Sequence, residues 1–335
     1  MPRGSPAAVR PASGTAPRPD PAPVVPAGRA PVRPAAKHPL RKRIWSARWM
    51  YLFILPGFLF FVVFKYVPLL GNVIAFQDYS PFQGFASPWV GLQNFAALFT
   101  DPDVGIALRN TLVLSFLQLV FAFPAPIALA LLLNSLISER TKRVVQAIVY
   151  LPHFIGWVVV VSIWQEVLGG DGMLTGFVES LGGSPINIMA NPDLFPVLVT
   201  SQVIWKEIGW GTIIFFAAIS LIPAEQYESA SVDGAGPWKR MWHVTLPGIT
   251  SVIVLLFILR LGSVLTVGFE QILLQQNSVG QDNAQVLDTF VYYRGIVGGD
   301  WGIATAAGVA KGLVGTALVI AANRVAKRFG GQGVF

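Results

Sequence analysis

The residues best placed for chemistry are polar side chains inside long apolar runs. Gln202, Trp205, Lys206 and Gly209 recur at i, i+3, i+4 and i+7, so one face of a helix would carry them. Glu207 and Trp210 border that face. Arg260 and Ser263 share a face of a second run, Gln118 stands in a third, and Trp164 and Gln165 in a fourth. Polar groups are costly in hydrocarbon, which makes each a candidate for function. Amide and guanidinium donors beside flat indole rings would suit a saccharide, whose rings have polar edges and an apolar face. The same residues also suit pairing between helices, and tryptophan collects at membrane interfaces. Lys311, in the last run, suits snorkelling.

Bond-making chemistry is not indicated. The string Gly308-Val309-Ala310-Lys311-Gly312 lacks the spacing of a phosphate-binding loop, so this chain is not expected to hydrolyse ATP. Neither a zinc-binding His/Glu motif nor a G-x-S-x-G elbow occurs. Cysteine is absent, and histidines at 38, 153 and 243 are too dispersed for a metal site. The expectation is a non-enzyme with no cofactor or metal of its own.

Of the 335 residues, 53% are hydrophobic and 12% are charged. A soluble domain carries about twice that charge. Mean hydropathy is +0.59. The net charge of +7 sits beside apolar runs, which fits membrane topology and not nucleic acid. Six runs lie near 49–70, 108–134, 144–168, 195–222, 248–270 and 302–323. Each reaches the length needed to cross a hydrocarbon layer of roughly 30 Å. The intervening segments 71–107 and 169–194 contain acids and no Lys or Arg, and 271–301 has Arg294 against three acids. Basic residues mark the opposite side: Arg41-Lys42-Arg43 and Arg48, then Arg140, Lys142 and Arg143, then Lys239 and Arg240, then Arg324, Lys327 and Arg328. This alternation predicts six spans with both termini cytoplasmic. Residues 1–40, rich in Ala, Pro and Arg, are expected to form a disordered cytoplasmic tail, and 41–335 a single membrane domain in contact with lipid. Pro56, Pro124 and Pro126 fall inside runs and predict kinks or static bends.

One polar interruption, 223–247, lies between the fourth and fifth runs. Pro223 suits a helix start, Glu225 and Glu228 suit its positive first turn, Asp233-Gly234 signals a turn, and Pro237 suits a second start. Leu246-Pro247 is expected to end the second helix. Ser229, Ala230, Ser231, Ala235 and Gly236 are small enough to let another backbone approach.

This stretch resembles the EAA loop of binding-protein-dependent ABC importer permeases, through Glu228-Ser229-Ala230, Asp233-Gly234-Ala235 and Leu246-Pro247. Ser229 and Val244 depart from the usual alanine and isoleucine. Further along the chain, Tyr66-Val67-Pro68, Trp89-Val90-Gly91-Leu92-Gln93-Asn94-Phe95, Phe123-Pro124-Ala125-Pro126 and Tyr150-Leu151-Pro152-His153 are similar to carbohydrate permeases of the oligosaccharide and polysaccharide, maltose-type group. The resemblance covers about residues 50–335. It implies an all-α, six-span type I importer fold in the bacterial cell membrane, with 223–247 as the coupling-helix loop. Glu228, Ala230, Asp233, Gly234, Ala235, Leu246 and Pro247 would couple to the ATPase. Implied partners are a second homologous permease, two ATP-binding subunits that use ATP and Mg, and an extracytoplasmic sugar-binding protein. The substrate path would draw on Gln118, Trp164, Gln165, Gln202, Trp205, Lys206 and Arg260. Competing readings are a stand-alone secondary carrier, a membrane scaffold, and an importer permease for a non-sugar solute. The carrier reading lacks paired interrupted spans in matching halves.

Overall fold

The structure is a computed structural model that describes residues 45, 47–135 and 138–328. The tail expected over 1–40 lies outside the described residues. The chain divides into two units, Met1–Val62 and Val63–Phe335. Among the described residues every regular element is helical, with one isolated antiparallel bridge between Gln77 and Trp89.

In the first unit, α1 (Arg48–Phe61) is apolar on all sides and contains Pro56. The Arg48 guanidinium lies over the Trp45 and Trp49 rings, 5.2 and 5.8 Å from their centroids. The second unit holds α2 (Gln93–Thr100), α3 (Pro102–Leu117), α4 (Pro124–Ser135), α5 (Glu139–Tyr150), α6 (Trp157–Leu168), α7 (Met173–Ser180) and α8 (Phe195–Ile219). It continues with α9 (Ala224–Val232), α10 (Pro237–Gly248), α11 (Thr250–Gly262), α12 (Phe269–Val279), α13 (Leu287–Val291) and α14 (Trp301–Arg328). Local sequence sets several starts. Asp101 accepts from the Asp103 amide at 3.0 Å ahead of Pro102, and Ser138 accepts from the Thr141 amide at 3.3 Å ahead of α5.

Four helical runs are long and apolar enough to cross a membrane: Arg48–Phe76, Pro102–Ser135, Phe195–Ile219 and Trp301–Arg328. Two further candidates are bent pairs, Glu139–Phe154 with Trp157–Ser180 at 110° and Pro237–Gly248 with Thr250–Gly262 at 59°. The described residues thus hold four candidate spans, or six when each bent pair counts as one. The runs expected at 144–168 and 248–270 are therefore each interrupted. Pro152 lies in a tight 3₁₀ turn, Leu151–Phe154, and Gly156 is extended before α6 begins. The other run bends at Ile249 and leaves helical geometry after Gly262, and α12 starts afresh at Phe269.

Prolines are accommodated by widened turns. Five-residue π turns at Val62–Tyr66, Gln118–Ala122 and Met241–Thr245 each end two residues before a proline, Pro68, Pro124 and Pro247. A proline in a regular helix clashes with the carbonyl four residues back. Each of those carbonyls, on Phe64, Val120 and His243, falls inside the π turn. Widening the turn moves it aside. This is why α10 passes through Pro247 to Gly248 when the sequence predicted a stop.

The second unit is packed around α8, which buries Phe195, Leu198, Val199, Phe215 and Ile219. Gly209 and Gly211 let it approach its neighbours. A Cβ on Gly209 would lie 2.0 Å from the Val149 carbonyl of α5, and one on Gly211 would lie 2.8 Å from Pro126 of α4. The Val149 contact is with backbone, which cannot rotate away. Gly209→Ala is therefore expected to cost about 2 kcal/mol and lower the denaturation midpoint of the purified protein in detergent. Gly176→Ala, where nothing lies within 4 Å of the added Cβ inside α7, should leave the midpoint unchanged or raise it slightly. Equal midpoints for the two variants would refute the close α8–α5 approach.

Candidate functional site

Two features of the second unit bear on function: a cavity beside α8, and the polar elbow that follows it.

The cavity measures about 600 Å³ and lies between α4, α6, α8, α11 and the π turn after α3. Gln118 and Arg260, both expected in the substrate path, line it, together with Trp157, Glu207, Trp210 and Ser263. Arg260 Nη2 donates to Gln118 Oε1 at 2.7 Å, and Gln118 Nε2 donates to the Val267 carbonyl at 2.9 Å. On the α8 side, His153 Nδ1 donates to Glu207 Oε2 at 2.8 Å. The His153 and Trp210 rings stack at 4.4 Å and 4°.

The remaining candidates lie elsewhere. Gln202 is fully buried in a network with α12, donating to Gln275 Oε1 at 3.0 Å and accepting from Gln271 at 2.6 Å. Lys206 Nζ turns to the broken segment before α6, donating to the His153 and Ile155 carbonyls at 2.7 and 2.8 Å. Trp164 and Trp205 pack edge to face at 6.4 Å, and Gln165 is exposed near the end of α6. The face of α8 that meets the cavity carries Val203, Glu207, Trp210 and Ile214, one residue on from the face read in the sequence. That one-residue step rotates the helix by about 100°. Trp157 was missed altogether. Its signal was its place directly after Gly156, at the first turn of a helix. Lys311, expected to snorkel, instead pairs with Asp288.

The elbow forms between α9 and α10. Asp233 ends α9, and Gly234 takes φ +75°, a backbone conformation that strains any side chain. The Ala235 amide donates to the Ala230 carbonyl at 2.9 Å, which closes the turn. Pro237 opens α10 as the sequence predicted. Two contacts clamp the helices: Tyr227 Oη shares a hydrogen bond with Thr245 Oγ1 at 3.1 Å, and Arg240 Nη1 donates to Ser231 Oγ at 3.1 Å. Glu228, Asp233, Gly234 and Pro247 are exposed, while Ala230, Ala235 and Leu246 are half-buried. Val232 is 88% exposed and Trp238 67%, so the elbow presents apolar surface.

Residues 122–331 match the family described as binding-protein-dependent transport system inner membrane component. The chain is 45% identical over 323 residues to Protein LplB of Bacillus subtilis (strain 168), covering 96% of this chain and 99% of that protein. It is 48% identical over 290 residues to the polygalacturonan/rhamnogalacturonan transport system permease protein YteP of the same organism, covering 86% and 90%. A solved structure of a bacterial alginate ABC transporter, in complex with an alginate pentasaccharide-bound periplasmic protein, contains a chain that superposes with a TM-score of 0.80 at 37% identity, covering 88% of this chain and 99% of that one.

The Lys206 geometry makes a local prediction. An ammonium that satisfies several carbonyls of a broken segment holds that segment closed. Lys206→Met should speed amide exchange across residues 151–157 by about tenfold to a hundredfold, as loss of roughly 1–3 kcal/mol of local protection requires. Exchange mass spectrometry showing no change there would remove Lys206 from this role.

Proposed function

The chain belongs to the family of binding-protein-dependent transport system inner membrane components, and from that premise we propose that it is a permease subunit of an ATP-driven importer for oligosaccharides. The reading is carried by the clamped, exposed elbow between α8 and α11 in a chain of this family. Residues 41–335 form one permease domain of six spans, in which each bent pair crosses once. A second permease completes the path. Two ATP-binding subunits hydrolyse ATP with Mg, and an extracytoplasmic binding protein delivers the saccharide. Two of the similar proteins are described as a polygalacturonan/rhamnogalacturonan transport system permease and an alginate ABC transporter, which supports a saccharide cargo.

Charge supports the orientation. Lys142 lies 5.6 Å over the Phe216 ring, near the end of α8 that leads into the elbow. The basic start of α5 and the elbow therefore share one side, which the positive-inside rule makes cytoplasmic. ATPase subunits act on that side.

The elbow serves as the coupling helix. Val232 and Trp238 offer apolar surface to the ATPase, and Ala230 and Ala235 keep the turn slim. Glu228 and Asp233 have no partner side chain among the described residues, which leaves them free for an intersubunit contact. Closure of the ATPase pair pushes α9. The Tyr227–Thr245 and Arg240–Ser231 contacts pass the push to α10, which runs through Pro247 to the 59° bend at α11. Arg260, near the far end of α11, then moves with the cavity wall. Gln118, Arg260, Trp157 and Trp210 offer the donors and flat rings a saccharide needs.

Gly234→Pro conflicts with φ +75°, because proline is fixed near −65°. Asp233→Arg reverses the charge at the turn. Both variants should reduce uptake by the reconstituted importer to background while the chain still inserts and the complex still forms. Normal uptake by either would remove the coupling role.

A further inference from the structure

We propose that the cavity beside α8 selects acidic saccharides, with the Arg260 guanidinium as the carboxylate-binding group; this rests on the saccharide reading above. The charge inventory of the cavity is asymmetric. Its lining carries two charged side chains, Glu207 and Arg260. Glu207 is already compensated: His153 Nδ1 lies 2.8 Å from Oε2, and Lys206 Nζ lies 3.7 Å from Oε1. Arg260 has no carboxylate partner among the described residues. Its side-chain bond is to Gln118 Oε1, a neutral acceptor that leaves most of the five N–H donors unmatched.

A half-buried guanidinium without a counter-charge is unfavourable in apolar surroundings. Gln118 is itself tied to the Val267 carbonyl, so it fixes the direction of the guanidinium and does not neutralise it. A planar fork of N–H donors matches the two oxygens of a carboxylate. Trp210, held in place by its stack on His153, and Trp157 provide ring faces in the same cavity. Carboxylate recognition beside aromatic surface describes a uronic-acid residue: an anionic group on a ring with an apolar face. A neutral saccharide would leave the guanidinium unmatched.

The test uses the complete importer in proteoliposomes, with its own binding protein. The probes are tetragalacturonate and its methyl ester, which has the same rings and linkages without the charge. Uptake is expressed per saccharide-loaded binding protein, so that loading does not enter the comparison. Arg260→Gln should reduce uptake of the acid by about tenfold or more, the loss expected for a charge-assisted hydrogen bond, and reduce uptake of the ester at least about threefold less than that. Arg260→Lys should recover a clear part of the acid uptake, because it restores charge without the fork. Equal losses for acid and ester, or a Lys variant no better than Gln, would overturn the proposal and leave Arg260 as a support for Gln118. Wild-type preference for the ester would overturn it as well. Failure to take up any saccharide, acidic or neutral, with ATPase activity intact, would instead overturn the saccharide reading on which it rests.

Discussion

Backbone that leaves helical geometry inside an apolar structure must find partners for its N–H and C=O groups, and the second unit meets this demand repeatedly with side chains from other helices. Lys206 of α8 serves the His153 and Ile155 carbonyls. Gln118 and Ser115 serve the Val267 and Val264 carbonyls in the gap between α11 and α12. Asn94 donates to the Ala75 and Gln77 carbonyls at 3.0 and 2.9 Å, and Asn110 donates to those of Asp282 and Gln285 at 3.0 Å each. Thr111 accepts from the Leu287 amide at 2.9 Å. Every one of these partners is distant in sequence, so the same contacts that satisfy the breaks also fix the helices to one another.

This arrangement explains where the cavity is. It is bounded by two interruptions: the turn before α6, held by Lys206, and the gap after α11, held by Ser115 and Gln118. A continuous pair of helices would have packed side against side and closed the space. Interruption instead frees Trp157 at one edge and Thr266 and Gly268 at the other to form wall. The interruptions also allow movement, since a segment held by a few side-chain bonds can change direction more readily than a helix interior. The π turns before Pro68, Pro124 and Pro247 have the opposite character. They preserve helical continuity, and the one at Met241–Thr245 keeps the elbow mechanically joined to α11.

Much of the architecture could be read from the chain because its causes are local. Apolar runs reveal themselves through length and composition. The turn of the elbow was legible residue by residue, since the conformations of Asp233, Gly234 and Pro237 follow from their own chemistry, whereas the stop expected at Leu246-Pro247 was overridden by the π turn before it. The bends were not legible in the same way. Hydropathy is indifferent to Pro152 and Gly156, and nothing nearby announces that Lys206, about fifty residues on, will complete the broken segment. The face of α8 was misaligned for a related reason. Gln202, Lys206 and Gly209 do form a face, but it is the packing face: Gln202 meets α12, Lys206 meets the turn, and Gly209 meets α5. Spacing identifies a stripe without saying what covers it. Asp288 lay in an expected loop and Lys311 in an expected span, so their pairing depended on α13 returning against α14.

The two faces of α8 nonetheless act together. Lys206 on the packing side and Glu207 on the cavity side are adjacent in sequence, and the ammonium lies 3.7 Å from the carboxylate while it serves the carbonyls of the turn. His153, whose own carbonyl accepts from Lys206, returns its ring to Glu207 and stacks on Trp210. The carboxylate is thus neutralised by the very groups that close the backbone break. The far wall has no such closure: there an arginine is steadied by a glutamine whose other end is committed to a carbonyl. Backbone satisfaction consumes the negative charge on one side of the cavity and leaves the positive charge on the other, so the polarity offered to a solute follows from how the breaks are held.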